Sequence, residues 1–250
     1  MSTVVVTGGT GTLGRYLVPA LLAADHQVRV VSRNGKATAP PPAEVVVGDV
    51  LRTDLRPLFD GADCVVHAAT SPSRRARKTE VEGTRNVISA SQQAGVQHVV
   101  YVSIVGVDRH RFPYYRAKRE AEQVVESSGS SWAIARATQF HELLDQFLSA
   151  PVFPKTPGLR FQPVDVGEFA AYLSASVTAG HAGYLEPFAG PEVLTIEELR
   201  DARRSATGKA ARLVRVPRVG FVRDFDRGLQ LAEGRADGST RWSEWLAKRG

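Results

Sequence analysis

The stretch Val4-Val5-Val6-Thr7-Gly8-Gly9-Thr10-Gly11-Thr12-Leu13-Gly14 decides the fold. Three valines read as a buried strand, glycines follow at 8, 11 and 14, and Leu13, Leu17 and Leu21 then recur every four residues, the stripe of an amphipathic helix. A glycine triplet by itself is weak evidence; between a strand and a helix it has a physical meaning. Gly8 permits a tight turn, Gly11 lets the backbone approach a diphosphate, and Gly14 lets the helix lie close to the strand. Thr10, Thr12 and Leu13 complete an opening turn whose free N–H groups and helix dipole attract phosphate. A bound dinucleotide is the expectation.

Outward from this stretch, valine-rich runs alternate with helical patterns to about residue 148. Strands are expected at Val4–Thr7, Val28–Val31, Glu44–Val47, Cys64–His67, His98–Ser103 and Trp132–Arg136. Continuous apolar runs of this kind suit strands covered on both faces. Helices are expected over Thr79–Ala94, with Thr79 and Glu82 as a capping box, and over Tyr114–Ser128, with Pro113 in its first turn. The alternation gives an α/β fold: a Rossmann-type doubly wound parallel sheet. After residue 148 prolines cluster at 151, 154 and 157. Capping pairs then stand at Asp165/Glu168 and Thr195/Glu198, Gly208 ends a helix, and Trp242, Trp245 and Leu246 mark a last apolar face. Residues 1–148 therefore form the dinucleotide-binding domain, and 149–250 a small C-terminal substrate-side cap packed on the same sheet.

The end of the second strand selects the dinucleotide. An NAD site places Asp or Glu there to bind the ribose hydroxyls. This chain has Ser32-Arg33-Asn34 instead. Arg33 suits bidentate capture of a 2′-phosphate and Ser32 can donate to it, with Arg15 as a second clamp. NADP(H) is expected over NAD(H). Asp49 and Val50, after the third strand, flank the adenine; Ala68, Ala69 and Thr70, after the fourth, pass along the ribose side.

The chain has 250 residues, 43% hydrophobic and 23% charged, which implies a packed core. The net charge of +6 comes with no recognition-helix or zinc-finger pattern, so nucleic acid is not an expected partner. Arg74, Arg75, Arg77 and Lys78 read as a solvated run, with attraction of an acidic ligand as the alternative. Cys64 is the single cysteine and lies in a strand; with no leader pattern and no membrane-length apolar run, a cytoplasmic location is expected. The scattered histidines offer no metal set. Oligomeric state is not legible.

Several segments together resemble the atypical, NmrA-like NAD(P)-binding branch of the short-chain dehydrogenase/reductases. They are Thr7–Gly14, Gly48-Asp49, Val66-His67-Ala68-Ala69, Glu82-Gly83-Thr84-Arg85-Asn86-Val87, Tyr101–Gly106, Tyr114-Tyr115-Arg116-Ala117-Lys118, Gln139-Phe140-His141-Glu142, Gln162–Val166 and Thr240–Leu246. The resemblance implies a candidate catalytic set of Ser103, Tyr114 and Lys118. In the wider family the tyrosine moves a proton to or from the substrate oxygen, the lysine holds the nicotinamide ribose and activates the tyrosine, and the serine polarises the carbonyl. Tyr114 and Lys118 stand one helical turn apart, and Ser103 closes the fifth strand, where open sheets bind ligands. By analogy His141 points to the substrate pocket. The implied function is NADPH-dependent reduction of a small carbonyl, enone or quinone-like compound. A non-catalytic NADP(H)-binding sensor or assembly protein is the alternative, and a nucleotide-sugar epimerase or dehydratase a more distant one.

Overall fold

A computed structural model describes residues 2–71 and 77–249. The chain divides into two compact units: residues 1–103, 117–135 and 170–186 in the first, and 104–116, 136–169 and 187–250 in the second. The units interleave in sequence, so a single boundary at residue 148 does not describe them. The reason is that the later segments carry elements for both units.

The chain opens with β1 (Thr3–Thr7), α1 (Gly14–Ala23), β2 (Gln27–Ser32) and β3 (Glu44–Val47). It continues through α2 (Arg56–Phe59), β4 (Cys64–His67), a π-helical turn (Lys78–Glu82), α3 (Gly83–Gln93) and β5 (His98–Ile104). Next come α4 (Pro113–Glu126), β6 (Ser131–Ala137), α5 (His141–Ser149), β7 (Val152–Lys155) and β8 (Arg160–Phe161). Then follow α6 (Val166–Thr178), β9 (Gly183–Tyr184), β10 (Leu194–Thr195), α7 (Ile196–Thr207), β11 (Arg212–Arg215), α8 (Val222–Asp226) and α9 (Trp242–Ala247).

The first unit is built on a seven-stranded sheet in the order β3-β2-β1-β4-β5-β6-β9. β1 sits centrally, with Val5 opposite Arg29 of β2 and Val65 of β4, both pairings parallel. Val4, Val5 and Val6 are fully buried because each face of the strand is covered. On one face Val5, Val65, Tyr101 and Ile134 pack with Phe59, Val87 and Val125. The strand order reverses beside β1, so the carboxyl ends of β1 and β4 form a topological switch point, the usual ligand crevice of such sheets. β3 departs from the both-faces expectation. It is the outer strand, and Val47 is 60% exposed. β9 pairs with Ala133 and Ile134 through only two residues, too few to give a periodic signal.

The second unit has β7 parallel to β11, β8 antiparallel to β10, and helices α5, α7 and α9 around Leu144, Leu148, Ile196, Leu199, Trp242, Trp245 and Leu246. The Trp242 indole donates to the Leu199 carbonyl at 3.0 Å, which satisfies the one polar atom this buried ring carries. Thr195 and Glu198 form the expected capping box, and Gly208 ends α7 in a left-handed conformation. Asp165 accepts from the amides of Gly167 and Glu168, but the Glu168 carboxylate turns instead to Ser239 and Thr240. Among the described residues no helix is long and apolar enough to cross a membrane. Phe59→Ala, at a fully buried position of the first core, is expected to lower unfolding stability by about 3–5 kcal/mol. Urea titration with an unchanged slope checks this.

Candidate functional site

The first unit brings the cofactor-binding candidates to the carboxyl ends of its strands. Gly8 ends β1 with φ of 76°, and a Cβ there would lie 2.7 Å from the Ala69 amide nitrogen, so the turn and the loop after β4 touch backbone to backbone. A Cβ on Gly14 would lie 2.3 Å from the Gly9 Cα. Helix α1 can start this close to β1 only without side chains at both positions. The Gly11 amide closes the turn onto the Gly8 carbonyl at 2.9 Å. The amides of Thr12, Leu13 and Gly14 have no protein acceptor among the described residues. Thr10, Gly11 and Thr12 are exposed. These unpaired donors on an open glycine turn fit the diphosphate of a dinucleotide.

At the end of β2, Ser32 is buried and its Oγ accepts from the Asn34 amide at 3.2 Å. Arg33 is exposed and has no carboxylate partner among the described residues. Arg15, also exposed, lies in the first turn of α1. Asp49 Oδ1 accepts from the Leu51 amide and the Asp49 amide donates to Thr53, which fixes the turn carrying the buried Val50. Of the basic run, Arg74 and Arg75 lie outside the described residues, and Arg77 pairs with Glu120 at 2.9 Å.

Beneath the loop after β4 lies a buried polar network that spacing and periodicity did not disclose. Glu80 is fully buried. Its Oε1 accepts from Thr70 Oγ1 at 2.6 Å and from the Ser71 amide at 3.0 Å. Its Oε2 is 2.9 Å from Lys118 Nζ and accepts from the Tyr101 hydroxyl at 3.3 Å. Lys118 also donates to the Val102 carbonyl at 3.0 Å, and its ammonium stands 4.7 Å over the Tyr101 ring. Burial acts to raise the Glu80 carboxyl, but Lys118 and the donors from Thr70 and Ser71 outweigh it and hold the group below the usual carboxylate range. Glu80 is therefore ionised, and Lys118, the expected ribose partner, is half of a buried ion pair. Glu80 escaped notice because Lys78-Thr79-Glu80-Val81-Glu82 reads as an exposed charged helix start. The π-helical turn, whose wider hydrogen bonds admit an extra residue, rotates Glu80 inward. For the same reason the Thr79/Glu82 capping box does not form: Arg77 stands at the N-cap with no side-chain cap bond.

His67 extends the network. It lies 2.7 Å from Thr7 Oγ1 through Nδ1 and 3.1 Å from Thr84 Oγ1 through Nε2, and Thr84 donates to the Glu80 carbonyl. Burial, with Lys118 acting in the same direction and Glu80 opposing both, lowers His67 to about 4.

Ser103 is the penultimate residue of β5, buried, and its Oγ has no hydrogen-bond partner among the described residues. Tyr114 is half-buried in the first turn of α4, with its ring edge-on to Tyr115 at 6.5 Å. Burial and the neighbouring Tyr114 raise the Tyr115 phenol far above its ordinary range despite a bond with Gln139. His141, expected at a pocket wall, is fully buried in the second core, 5.7 Å from the Trp242 ring and 5.3 Å from Trp245. Burial lowers it to about 4, against Asp165 and Glu168.

A family model described as NAD(P)H-binding matches residues 8–146, more than half of the chain. The chain belongs to this NAD(P)H-binding family. The resemblance to the atypical short-chain dehydrogenase/reductases read from the motifs stands with it. The photosystem II assembly factor Ycf39 of Synechocystis sp. is 26% identical over 98% of this chain and 80% of its own length. The chloroplastic divinyl chlorophyllide a 8-vinyl-reductase of Oryza sativa subsp. indica is 28% identical over 86% of this chain, which spans only 61% of that protein. Among solved structures, NADPH-dependent quinone oxidoreductase QOR2 of Escherichia coli, complexed with NADPH, superposes with a TM-score of 0.79 at 20% identity, covering 98% and 99% of the two chains. At that identity it shows the shared fold.

The low proton affinity of His67 gives a signed expectation. Its native value lies below the ordinary 6.5, so the unfolded chain binds the proton first as pH falls. The associated stability is fully present above about pH 6.5 and is lost toward pH 4, on the order of 3 kcal/mol for this group. Urea titrations across that window should show the fall, and a His67→Gln variant should show a shallower one.

Proposed function

We propose that the chain is an NADPH-dependent reductase acting on a small carbonyl, enone or quinone-like substrate. The observation that carries this reading is an amide-lined glycine cradle followed by an exposed, unpaired arginine where NAD sites hold an acid. The bound dinucleotide supplies the hydride. Gly8, Thr10, Gly11, Thr12, Leu13 and Gly14 hold its diphosphate; Arg33 and the Ser32 hydroxyl hold the 2′-phosphate. Asp49 and Val50 flank the adenine, and Ala68, Ala69 and Thr70 line the ribose side. The unpartnered Ser103 hydroxyl donates a hydrogen bond to the substrate oxygen. Tyr114 supplies the proton, and Lys118 faces the nicotinamide ribose.

A second reading, a cofactor-binding assembly or sensor protein, is favoured by the likeness to an assembly factor over 98% of the chain. NADP(H)-dependent capture of a protein partner, with no oxidation of NADPH across quinones, enones and aldehydes, selects it.

Arg33→Ser should reduce the preference for NADPH over NADH by about ten- to 150-fold in calorimetric titrations, the value of one charge-assisted bond; an unchanged preference removes Arg33 from selection. Tyr114→Phe should slow NADPH oxidation about 10²–10⁴-fold with the substrate that the panel identifies, while NADPH affinity stays within twofold. Undiminished turnover would take Tyr114 out of the chemistry.

A further inference from the structure

Four of the nine large apolar side chains exposed among the described residues, Val152, Val214, Val219 and Phe221, belong to one strand pair of the second unit and the turn that follows it. The parallel register of β7 with β11 places Val152 opposite Arg212 and Pro154 opposite Val214. Strand alternation sends Phe153 and Leu213 to the other face, where they pack on the second core, and leaves these four exposed. After β11, every residue from Pro217 to Phe221 is exposed, in a turn closed by the Val222 amide on the Val219 carbonyl at 3.1 Å. Val219 is 67% exposed, more than any other large apolar residue described. The turn is held in place from the protein side. Arg111 donates to the Gly220 carbonyl at 3.2 Å and pairs with the buried Asp224, and the Phe112 ring lies 5.0 Å from that of Phe221.

The same stretch concentrates charge. Residues 209–227 carry six basic side chains against Asp224 and Asp226, a net excess of four, where the whole chain has six. Both acids are engaged, Asp224 by Arg111 and Asp226 by Arg218 at 3.2 Å. Arg212, Arg215 and Arg223 are exposed and have no carboxylate partner among the described residues. Apolar side chains on a turn whose residues are all exposed, flanked by uncompensated cations, are the two attractions that hold a protein at a charged bilayer surface.

We propose that this surface of the second unit docks on an anionic lipid bilayer, with Val219 and Phe221 entering the headgroup layer and Arg212, Arg215 and Arg223 lying against the lipid phosphates and carboxylates. A second copy of the chain docked on the same patch would set these arginines against themselves. An acidic protein would need a groove shaped to receive Val219, whereas the bilayer interface takes an apolar side chain flanked by cations without any matching shape. Each basic residue near an anionic surface strengthens binding about fivefold, so the three arginines together contribute on the order of a hundredfold. The inference goes beyond the reductase reading and does not depend on it.

Sedimentation of the full chain with vesicles of phosphatidylcholine alone, and of phosphatidylcholine with roughly a third phosphatidylserine, tests this directly. Partition into the anionic vesicles should exceed that into the neutral ones by about tenfold or more at low salt, and should fall as salt is raised. Arg212→Gln/Arg215→Gln/Arg223→Gln, folded as judged by its thermal unfolding, should lose about a hundredfold of the anionic partition. Where the triple variant does not fold, the single variants decide, at about fivefold each. Val219→Trp adds a reporter whose emission, compared with that of the wild-type chain, should shift to the blue on anionic vesicles as the indole leaves water. Equal partition into both vesicle types, wild-type partition of the folded arginine variants, or binding with the new indole unshifted overturns the proposal. So does a protein that stays off anionic vesicles but forms a dimer, or holds an acidic protein, through these arginines. No cofactor or substrate enters the measurement.

Discussion

Backbone-to-backbone closeness at the end of β1 is the constraint on which the first unit depends. Gly8 lies against Ala69, and Gly14 lies against Gly9, at separations that leave no room for a Cβ. That closeness puts the opening turn of α1 at the switch point of the sheet, with the amides of Thr12, Leu13 and Gly14 unspent among the described residues. An extended helix start elsewhere would have its first N–H groups hydrated or capped. Here they line an open turn, so the same glycines that pack the helix also leave donors for phosphate.

Below the cradle the chain invests in polar atoms rather than apolar ones. Thr7, His67, Thr84, Glu80, Tyr101 and Lys118 are all buried, and hydrogen bonds or the ion pair link them into a connected set. Such a network is costly if any member is unmatched and rigid when all are matched. It joins the loop that follows β4 to the strand and helix that carry Tyr101 and Lys118. The lysine and the loop after β4 are thereby set by one carboxylate. A motif shared across a family can thus sit in an electrostatic setting of this chain's own.

The sequence made much of this legible, element by element. Val4–Thr7, Cys64–His67 and His98–Ser103 were readable as strands because apolar runs have no other stable place in an α/β chain. Thr195, Glu198 and Gly208 marked α7 because capping chemistry is local. What escaped was non-local. Glu80 resembled a solvated charge until the π-helical turn rotated it inward, and β9 is too short for periodicity to show. His141 stood in a motif that suggested a pocket, yet it packs against two indoles contributed by a segment a hundred residues later.

The sequence by itself determined the strand–glycine–helix unit and the absence of an acid after β2, and with the first of these the NAD(P)H-binding family to which the chain belongs. These depend on neighbours along the chain, where backbone geometry and residue type suffice. Only the tertiary structure decided that Lys118 is charge-paired, that the Ser103 hydroxyl is unmatched among the described residues, and that the two units alternate along the sequence. Those outcomes are set by which distant groups share a low-dielectric space, and linear spacing carries no record of that.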